Sequence, residues 1–545
     1  MKLLIIIALL VPSISADLFP LSIIHINDFH ARFEATDTTG GTCDAGEECI
    51  GGYARTVYMV KRLLEEQKDQ NPVYFNAGDS FQGTIWYNIG RWNVTSQFLN
   101  MLPADAMTLG NHEFDHGIEG LVPFLDTLNT TMLVANMDAR DEPDIQGKYQ
   151  SSMIIERSNR KIGVIGIILE TTYDLANTSN LIFLNESTVI QEEAKKLKAQ
   201  GANIIIAITH CGYDVDKLIA EIAGDEVDVI VGSHSHTFLY TGDTPPGPDR
   251  AYGPYPTEVI HKSGHRVLIV QAAAYAKYVG NITVFFDDDG NVVDYSGAPI
   301  YMGSNVPEDP DVVDAMQPWK SMIDKKAKVV IGESRVYLDM SNCSVTECNL
   351  GNYFCDAMIH AFAGLTPFSD MAWTNVSIGL INTGGLRVPL RNGILTYAHL
   401  ISMSPFENVL TAFNLPGHKL LEALELSVKP IDFKNNSTTS AVYLQVSGLK
   451  ITYDYNRPPG QRVVDVKVRC ANCEIPLYED LDSRKIYRIV APSFLAEGGD
   501  GYKMFKDYGT DWQREMTDVD ALVSFTRNIS PIYTGIDKRI STWGL

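Results

Sequence analysis

In the first half of the chain, short apolar runs alternate with segments whose apolar positions recur every three or four residues. LSIIHI (21–26), PVYF (72–75), DAMTL (105–109), KIGVIGII (161–168), NIIIAIT (203–209) and VDVIVG (227–232) are short and mostly β-branched, which predicts buried strands. Between them, ARTVYMVKRLLEEQK (54–68) and STVIQEEAKKLKAQG (187–201) carry one apolar face at helical spacing. Strand and helix in alternation predict a layered α/β domain. A loop rich in Gly, Pro and Asp (241–256) interrupts the pattern, and strands at 266–271 and 280–286 close it. A turn and a long helix are expected over 305–330 as a connector. From about 335 the pattern changes to shorter strands and turns around one helix at 417–427, which predicts a second, α+β domain.

Length agrees, because 545 residues exceed what a single core serves. The formal charge of −23 argues against nucleic acid or an acidic membrane as partner. It leaves room for a small anionic substrate, since bound cations and a local Arg can reverse the field in one cleft. No pattern in the chain specifies an oligomeric state. MKLLIIIALLVPSISA has the basic start, short apolar run and small-residue exit of a secretory signal peptide, with cleavage expected near Ala16. Asn-x-Ser/Thr sequons at Asn93, Asn129, Asn177, Asn185, Asn281, Asn342, Asn375, Asn435, Asn436 and Asn528 agree with export. The polar ending DKRISTWGL gives no support for a glycolipid anchor. A secreted, extracellular protein without a membrane anchor is therefore expected. Of eight cysteines, Cys43/Cys49, Cys343/Cys348 and Cys470/Cys473 form close pairs that read as disulfide loops in an oxidising compartment. Cys211 and Cys355 remain, expected as free buried thiols.

The candidate chemistry lies just past the strand ends. LSIIHI runs into NDFH, with Asp28 and His30; PVYFN into AGDS, with Asp79; DAMTL into GNHEFD, with Asn111, His112 and Asp115. NIIIAIT ends at His210, and VDVIVG runs into SHSH, with His234 and His236. In an open α/β sheet, ligands bind at the carboxyl ends of strands, so five loops deliver acidic, amide and imidazole groups to one rim. His25, His116, His261, His265, His360, His399 and His418 lack such company and read as core or surface residues. Imidazole and carboxylate together suit two divalent cations about 3.5–4 Å apart with a bridging carboxylate. Zinc is the first expectation, with calcium, manganese or magnesium as alternatives. Such a pair activates water, so no protein nucleophile is needed, and TLGNHEFDHG (108–117) contains none. Asp115, three residues after His112, can fix its tautomer and favour its charged form, which would stabilise charge building on a phosphoryl group. Glu113 and His116 are expected in packing or supporting bonds.

These residues in this order resemble the 5′-nucleotidase family of calcineurin-like metallophosphoesterases. The likeness runs through IIHINDFHARFE, NAGDSFQGT, TLGNHEFDHG, ITHCG and VGSHSH, then CNLGNYFCDAM, INTGGLR, SPFEN, LQVSGLKITYD and APSFLAEGGDGY. The resemblance implies a four-layer αββα metallophosphoesterase domain (17–304), a connecting helix (305–334) and an α+β nucleotide-binding domain (335–545) after the signal peptide (1–16). It implies that Asp28, His30, Asp79 and His236 hold one metal and Asp79, Asn111, His210 and His234 the other. It implies that Asn382, Arg387, Phe406, Phe494 and Asp500 contact a nucleotide, the two aromatics sandwiching the base. From spacing alone, Phe406 and Phe494 would be core residues. Ser344 stands where family members often carry an Arg, which puts phosphate grip in doubt. Gly379 stands where Cys355 would have a disulfide partner, which supports a free thiol.

The stretch GTIWYNIGRWNVT (83–95) and the missing anchor look most like secreted apyrases of blood-feeding arthropods. That likeness implies hydrolysis of extracellular ATP and ADP to AMP and phosphate, which inhibits ADP-driven platelet aggregation. Two alternatives stay open. One is a 5′-nucleotidase converting AMP to adenosine. The other is a catalytically inactive antagonist that binds nucleotide or a receptor; the full complement of candidate ligands speaks against it.

Overall fold

The computed structural model describes residues 18–365, 372–431 and 440–544. The signal-peptide expectation at 1–16 and the sequons at Asn435 and Asn436 lie outside them.

The amino-terminal half is built on two stacked sheets. The first has the order Val292–Gly297, Tyr278–Phe286, Phe19–Ile26, Val73–Asn76, Ala106–Met107, with Ile300–Tyr301 paired to Tyr278–Phe286. Phe19–Ile26, Val73–Asn76 and Ala106–Met107 run parallel. The second has the order Thr257–Ile260, Arg266–Val270, Val229–Val231, Ile204–His210, Arg160–Ile168, Ser152–Arg157, parallel from Arg266–Val270 through Arg160–Ile168. Ile23, Phe75, Val164, Ile206, Ile208 and Val284 fill the space between the sheets. That double burial explains why the strands read as continuous apolar runs. Helices Tyr53–Glu66, Ile85–Leu99 and Gly117–Thr127 cover the outer face of the first sheet, and Glu186–Ala199 and Tyr213–Ala223 that of the second. This is the expected αββα sandwich.

Pro310–Ala327 forms the connector, started by Asp309, whose side chain accepts from the backbone N–H of Asp311 and Val312. Val312, Met316 and Ile323 on its inner face join the core of the first half. The second half holds a five-stranded sheet with Ile378–Asn382 and Ile486–Pro492 parallel at its centre, and a four-stranded sheet ending in Ile540–Trp543. Gly417–Val428 matches the helix expected there. The expectation that it stands alone is corrected: Asn349–Leu365, Tyr397–Met403, Lys503–Tyr508 and Asp518–Ile529 are helical too. Asn349–Leu365 buries most of its residues, including Leu350, Asn352, Tyr353, Cys355, Met358 and Phe362, so it shows no polar stripe and no helical period to read. Among the described residues no helix is long and apolar enough to cross a membrane. Disulfides join Cys43–Cys49, Cys343–Cys348 and Cys470–Cys473, and Cys211 and Cys355 are free and buried.

Candidate metal centre and substrate cleft

The loops after five strands meet at one rim. Asp28, His30, Asp79 and His236 present ligand atoms within 4.8 Å of one another, and Asp79, His210 and His234 form a second such group, sharing Asp79. His210 Nε2 lies 3.1 Å and His30 Nε2 3.6 Å from Asp79 Oδ2. His236 Nε2 lies 3.5 Å from Asp28 Oδ1 and 3.0 Å from His30 Nε2. Asn111 Oδ1 faces His234 Nδ1 at 2.9 Å, which brings the seventh candidate to the same place.

The chain reaches this arrangement through strained backbone. Asp28, His30, Asp79, His234 and His236 have φ of 49°, 49°, 54°, 75° and 54°, the left-handed region that side chains avoid. Such residues persist only where the surroundings over-determine them, and they cluster at functional sites. Here the surroundings are backbone laid against backbone. A Cβ on Gly110 would sit 2.6 Å from the Asp79 nitrogen, and one on Gly78 would sit 2.7 Å from the Gly110 nitrogen. Glu113 locks the two loops together. Its buried carboxylate accepts from the N–H groups of Asp79, Ser80, Phe81 and Gly110 at 3.0, 2.6, 3.1 and 2.6 Å.

The donors are also pre-set. His210 Nδ1 lies 2.8 Å from the Ala77 carbonyl and 2.7 Å from Ser233 Oγ, and His30 Nδ1 lies 3.2 Å from the Phe81 carbonyl. An Nδ1–H donated to a carbonyl leaves Nε2 with its lone pair toward the cluster. Asn27 holds Asp28, donating to its Oδ2 at 2.8 Å. Burial keeps the His30 and His236 imidazoles neutral, their pKa values well below the ordinary one, and lowers His234 to about 3. Burial also opposes charge on His210, but Asp79 outweighs it and lifts the ring to about 9. Burial pushes Asp28 up to about 7, with Asp79 adding to the rise.

The residues present fit a pair of divalent cations. Three neutral imidazoles and two carboxylates converge on one place, and the fully buried His210 Nε2, 3.1 Å from Asp79 Oδ2, has no hydrogen-bond partner. Facing acceptors at such separations call for positive charge between them. A dication on Asp79 would take over the compensation His210 now supplies.

His112 Nδ1 lies 2.8 Å from Asp115 Oδ2, and its backbone N–H donates to Asp79 Oδ1 at 3.0 Å. Burial disfavours its imidazolium, yet Asp115 and Asp79 together raise its pKa above the ordinary value. A cleft of about 1170 Å³ runs from Asp79, Asn111, His112 and His234 into the second half of the chain. Asn382, Arg387, Phe406, Phe494 and Asp500 all line it. Phe406 stacks on His112 with ring centres 5.3 Å apart, and Arg387 reaches to 3.3 Å from His30 Nε2. Asn382 Nδ2 donates to Asp500 Oδ2 at 2.7 Å, and burial raises Asp500 to about 6. Ser344 does not line the cleft.

Sequence reasoning anticipated Glu113 and His116 in packing or supporting bonds and missed the other supports. Asn27 and Ser233 had no distinguishing pattern, nor did Asn408, whose Oδ1 accepts from the Phe494 N–H at 3.2 Å. His116, expected in packing or supporting bonds, faces Arg91 Nη1 at 2.8 Å through its Nε2.

The comparisons agree with this geometry. Residues 21–238 match the calcineurin-like phosphoesterase family, and residues 330–507 match the 5′-nucleotidase C-terminal domain. The chain is 50% identical over 537 residues to a 5′-nucleotidase-related protein of Glossina morsitans morsitans, covering 97% of this chain and 96% of that one. It is 48% identical to an apyrase of Tabanus yao, covering 96% and 93% respectively, and 38% identical to a 5′-nucleotidase of Bos taurus, covering 95% and 90%. The crystal structure of a 5′-nucleotidase precursor from Thermus thermophilus superposes with a TM-score of 0.86 at 32% identity, covering 97% of this chain and 100% of that one. With both halves matched and near full-length relatives at such identity, this chain belongs to the 5′-nucleotidase family of calcineurin-like phosphoesterases and is a nucleotide phosphohydrolase of that fold.

Proposed function

We propose that the protein is a secreted apyrase that removes phosphate from extracellular ATP and ADP, ends at AMP, and thereby inhibits ADP-driven platelet aggregation. The observation that carries this reading is the continuous cleft that joins the ligand cluster to an aromatic pair through Arg387. The near full-length likeness to a Tabanus yao apyrase supports it further. Three disulfides fit an oxidising compartment, and the sequons fit export.

In this reading Asp28, His30, Asp79 and His236 hold one cation, and Asp79, Asn111, His210 and His234 the other. When bound, the cations polarise the terminal phosphoryl group and lower the pKa of a water. Phe406 and Phe494 grip the base between them; stacking tolerates any base and so contributes affinity first. Asp500, held by Asn382, accepts sugar hydroxyls. Arg387 binds phosphate oxygens with its planar fork. His112, whose charged form Asp115 favours, faces the negative charge that grows as the new P–O bond forms from water and the P–O bond to the leaving nucleotide breaks. Zinc suits this imidazole-rich set, with calcium, manganese and magnesium as alternatives.

The test is phosphate release from ATP, ADP and AMP by the purified protein, with EDTA and after readdition of each metal. Release from ATP and ADP that stops at AMP supports the apyrase reading. The 5′-nucleotidase-related protein at 50% identity favours a second reading, AMP hydrolysis, which adenosine formation would establish. Nucleotide binding without release under any metal would leave only an antagonist.

A further inference from the structure

The stretch 83–95 carries neither a candidate ligand nor a substrate residue, yet its helix is broken in the middle. Within Ile85–Leu99, Arg91 has φ 51° and ψ −146°, a costly conformation for a residue with a side chain. The break turns the guanidinium away from the helix and across to the other half of the chain. Nη2 donates to Glu407 Oε2 at 2.5 Å, and Glu407 itself has φ 54°. One turn earlier, Asn88 Nδ2 donates to the carbonyl of Pro405 at 2.8 Å. The broken helix therefore grips the residues on either side of Phe406.

The grip extends in both directions. Asn408 Oδ1 accepts from the Phe494 N–H and from Ser493 Oγ, both at 3.2 Å, so the second aromatic moves with the first. On the other side, Arg91 Nη1 faces His116 Nε2, and His116 stacks on Tyr87 with ring centres 5.6 Å apart. His116 directly follows Asp115, the partner of His112. Arg91 thus stands between the loop that carries His112 and the loop that carries Phe406. It touches neither the ligand cluster nor the inner cleft. With side chains 36% and 28% exposed, the Arg91–Glu407 pair is too open to water to be explained by stability alone.

We infer that Arg91, with Asn88, is a positioning and specificity-determining element that fixes the distance from the aromatic pair to the ligand cluster. This rests on the nucleotide reading above. A nucleotide held by its base reaches the cluster only if its phosphate chain spans that distance. The link thus selects which phosphate sits over the cluster, and with it the preference among tri-, di- and monophosphates. A misplacement of about 1 Å at a reacting centre can cost about a hundredfold in rate.

The experiment uses the full chain with Arg91→Glu, Glu407→Arg and the double charge swap. Kinetics are read on ADP, AMP and p-nitrophenyl phosphate, an aryl phosphate with no base to grip. Each single change should lower kcat/KM on ADP by about ten- to a hundredfold and shift the ADP-to-AMP preference, while aryl phosphate turnover holds. The double swap should recover most of the ADP loss, which a merely misfolded variant would not do. The milder Arg91→Gln should shift the preference in the same direction. Parallel loss on the aryl phosphate, failure of the swap to recover, or an unmoved ADP-to-AMP preference would each overturn the proposal. A wild type that releases phosphate from no nucleotide defeats the nucleotide reading and this proposal together; an active wild type with an unmoved preference defeats this proposal alone.

Discussion

Glu113 gives the strongest test of how the site is held. Its two oxygens accept from four buried backbone N–H groups. Glu113→Gln keeps the shape but leaves one acceptor oxygen and turns an NH2 toward two of those donors. Each buried donor left without a partner costs about 1–3 kcal/mol, so the pair puts the loss at about 2–6 kcal/mol. Against a total stability of about 5–15 kcal/mol, that is a large share. At about 2 °C per kcal/mol for a domain of this size, the melting temperature should fall by about 4–12 °C. The assay is calorimetry in EDTA, with Glu192→Gln, an exposed mid-helix change, as the control. The same variant should bind zinc about 10–100-fold more weakly, because Asp79 and Asn111 lose their common brace. A melting temperature no lower than that of Glu192→Gln would refute the reasoning. It would mean that Glu113 is held as a neutral acid, which Gln replaces without loss. Burial and the neighbouring Asp79 do push its pKa above the ordinary value, against the pull of the amide donors, so the outcome decides between two states.

The remaining predictions concern turnover. Asp79→Ala removes the shared ligand and should cost several orders of magnitude in kcat together with bound metal; near-normal turnover in metal-free buffer would end the two-cation reading. His112→Ala should lower kcat by about 10²–10³ with metal content intact, and loss of metal would make His112 a ligand instead. Asp500 has a pKa raised by burial to about 6, so it is charged above that pH and neutral below it. KM for ADP should therefore rise as pH falls through about 6, and Asp500→Asn should show a raised KM without that limb. The formal charge of −23 should repel a polyanion at low salt, where the Debye length is about 30 Å, and stop mattering near 8 Å. At fixed free metal, kcat/KM on ADP should thus rise from about 10 mM to 150 mM salt, and a steep fall would show that the local field of the cleft controls encounter.

The metal-binding half was legible because its chemistry follows its folding pattern. Strands buried on both faces must be apolar along their whole length, so each stands out, and the polar residue that ends it stands out equally. Asp28, Asp79, Asn111, His210 and His234 each follow such a run, and the rule that ligands gather at carboxyl strand ends then brings them together. What that reading could not supply was the backbone. Nothing in the letters of Asp28 or His236 announces a left-handed φ, because the strain is imposed by neighbours distant in sequence. The second half was harder to read for the opposite reason. Asn349–Leu365 is enclosed and so loses the polar face that marks a helix.

The candidate nucleotide contacts were named only through resemblance, and the physical cause is chemical anonymity. Phe406 and Phe494 are ordinary apolar residues until something places them along one cleft. What places them is a contact between residues 316 apart, made by an Arg at a break within a helix and a Glu in a turn. Neither residue belongs to a periodic pattern, and each alone reads as a solvated charge. The ligand cluster is built within the amino-terminal half and can be inherited unchanged by enzymes of different phosphate preference. The distance from base to cluster is set by a few such cross-domain contacts, which can change singly. Preference for di- and triphosphate over monophosphate should therefore vary with residues like Arg91 and Asn88 while Asp79 and its partners stay fixed.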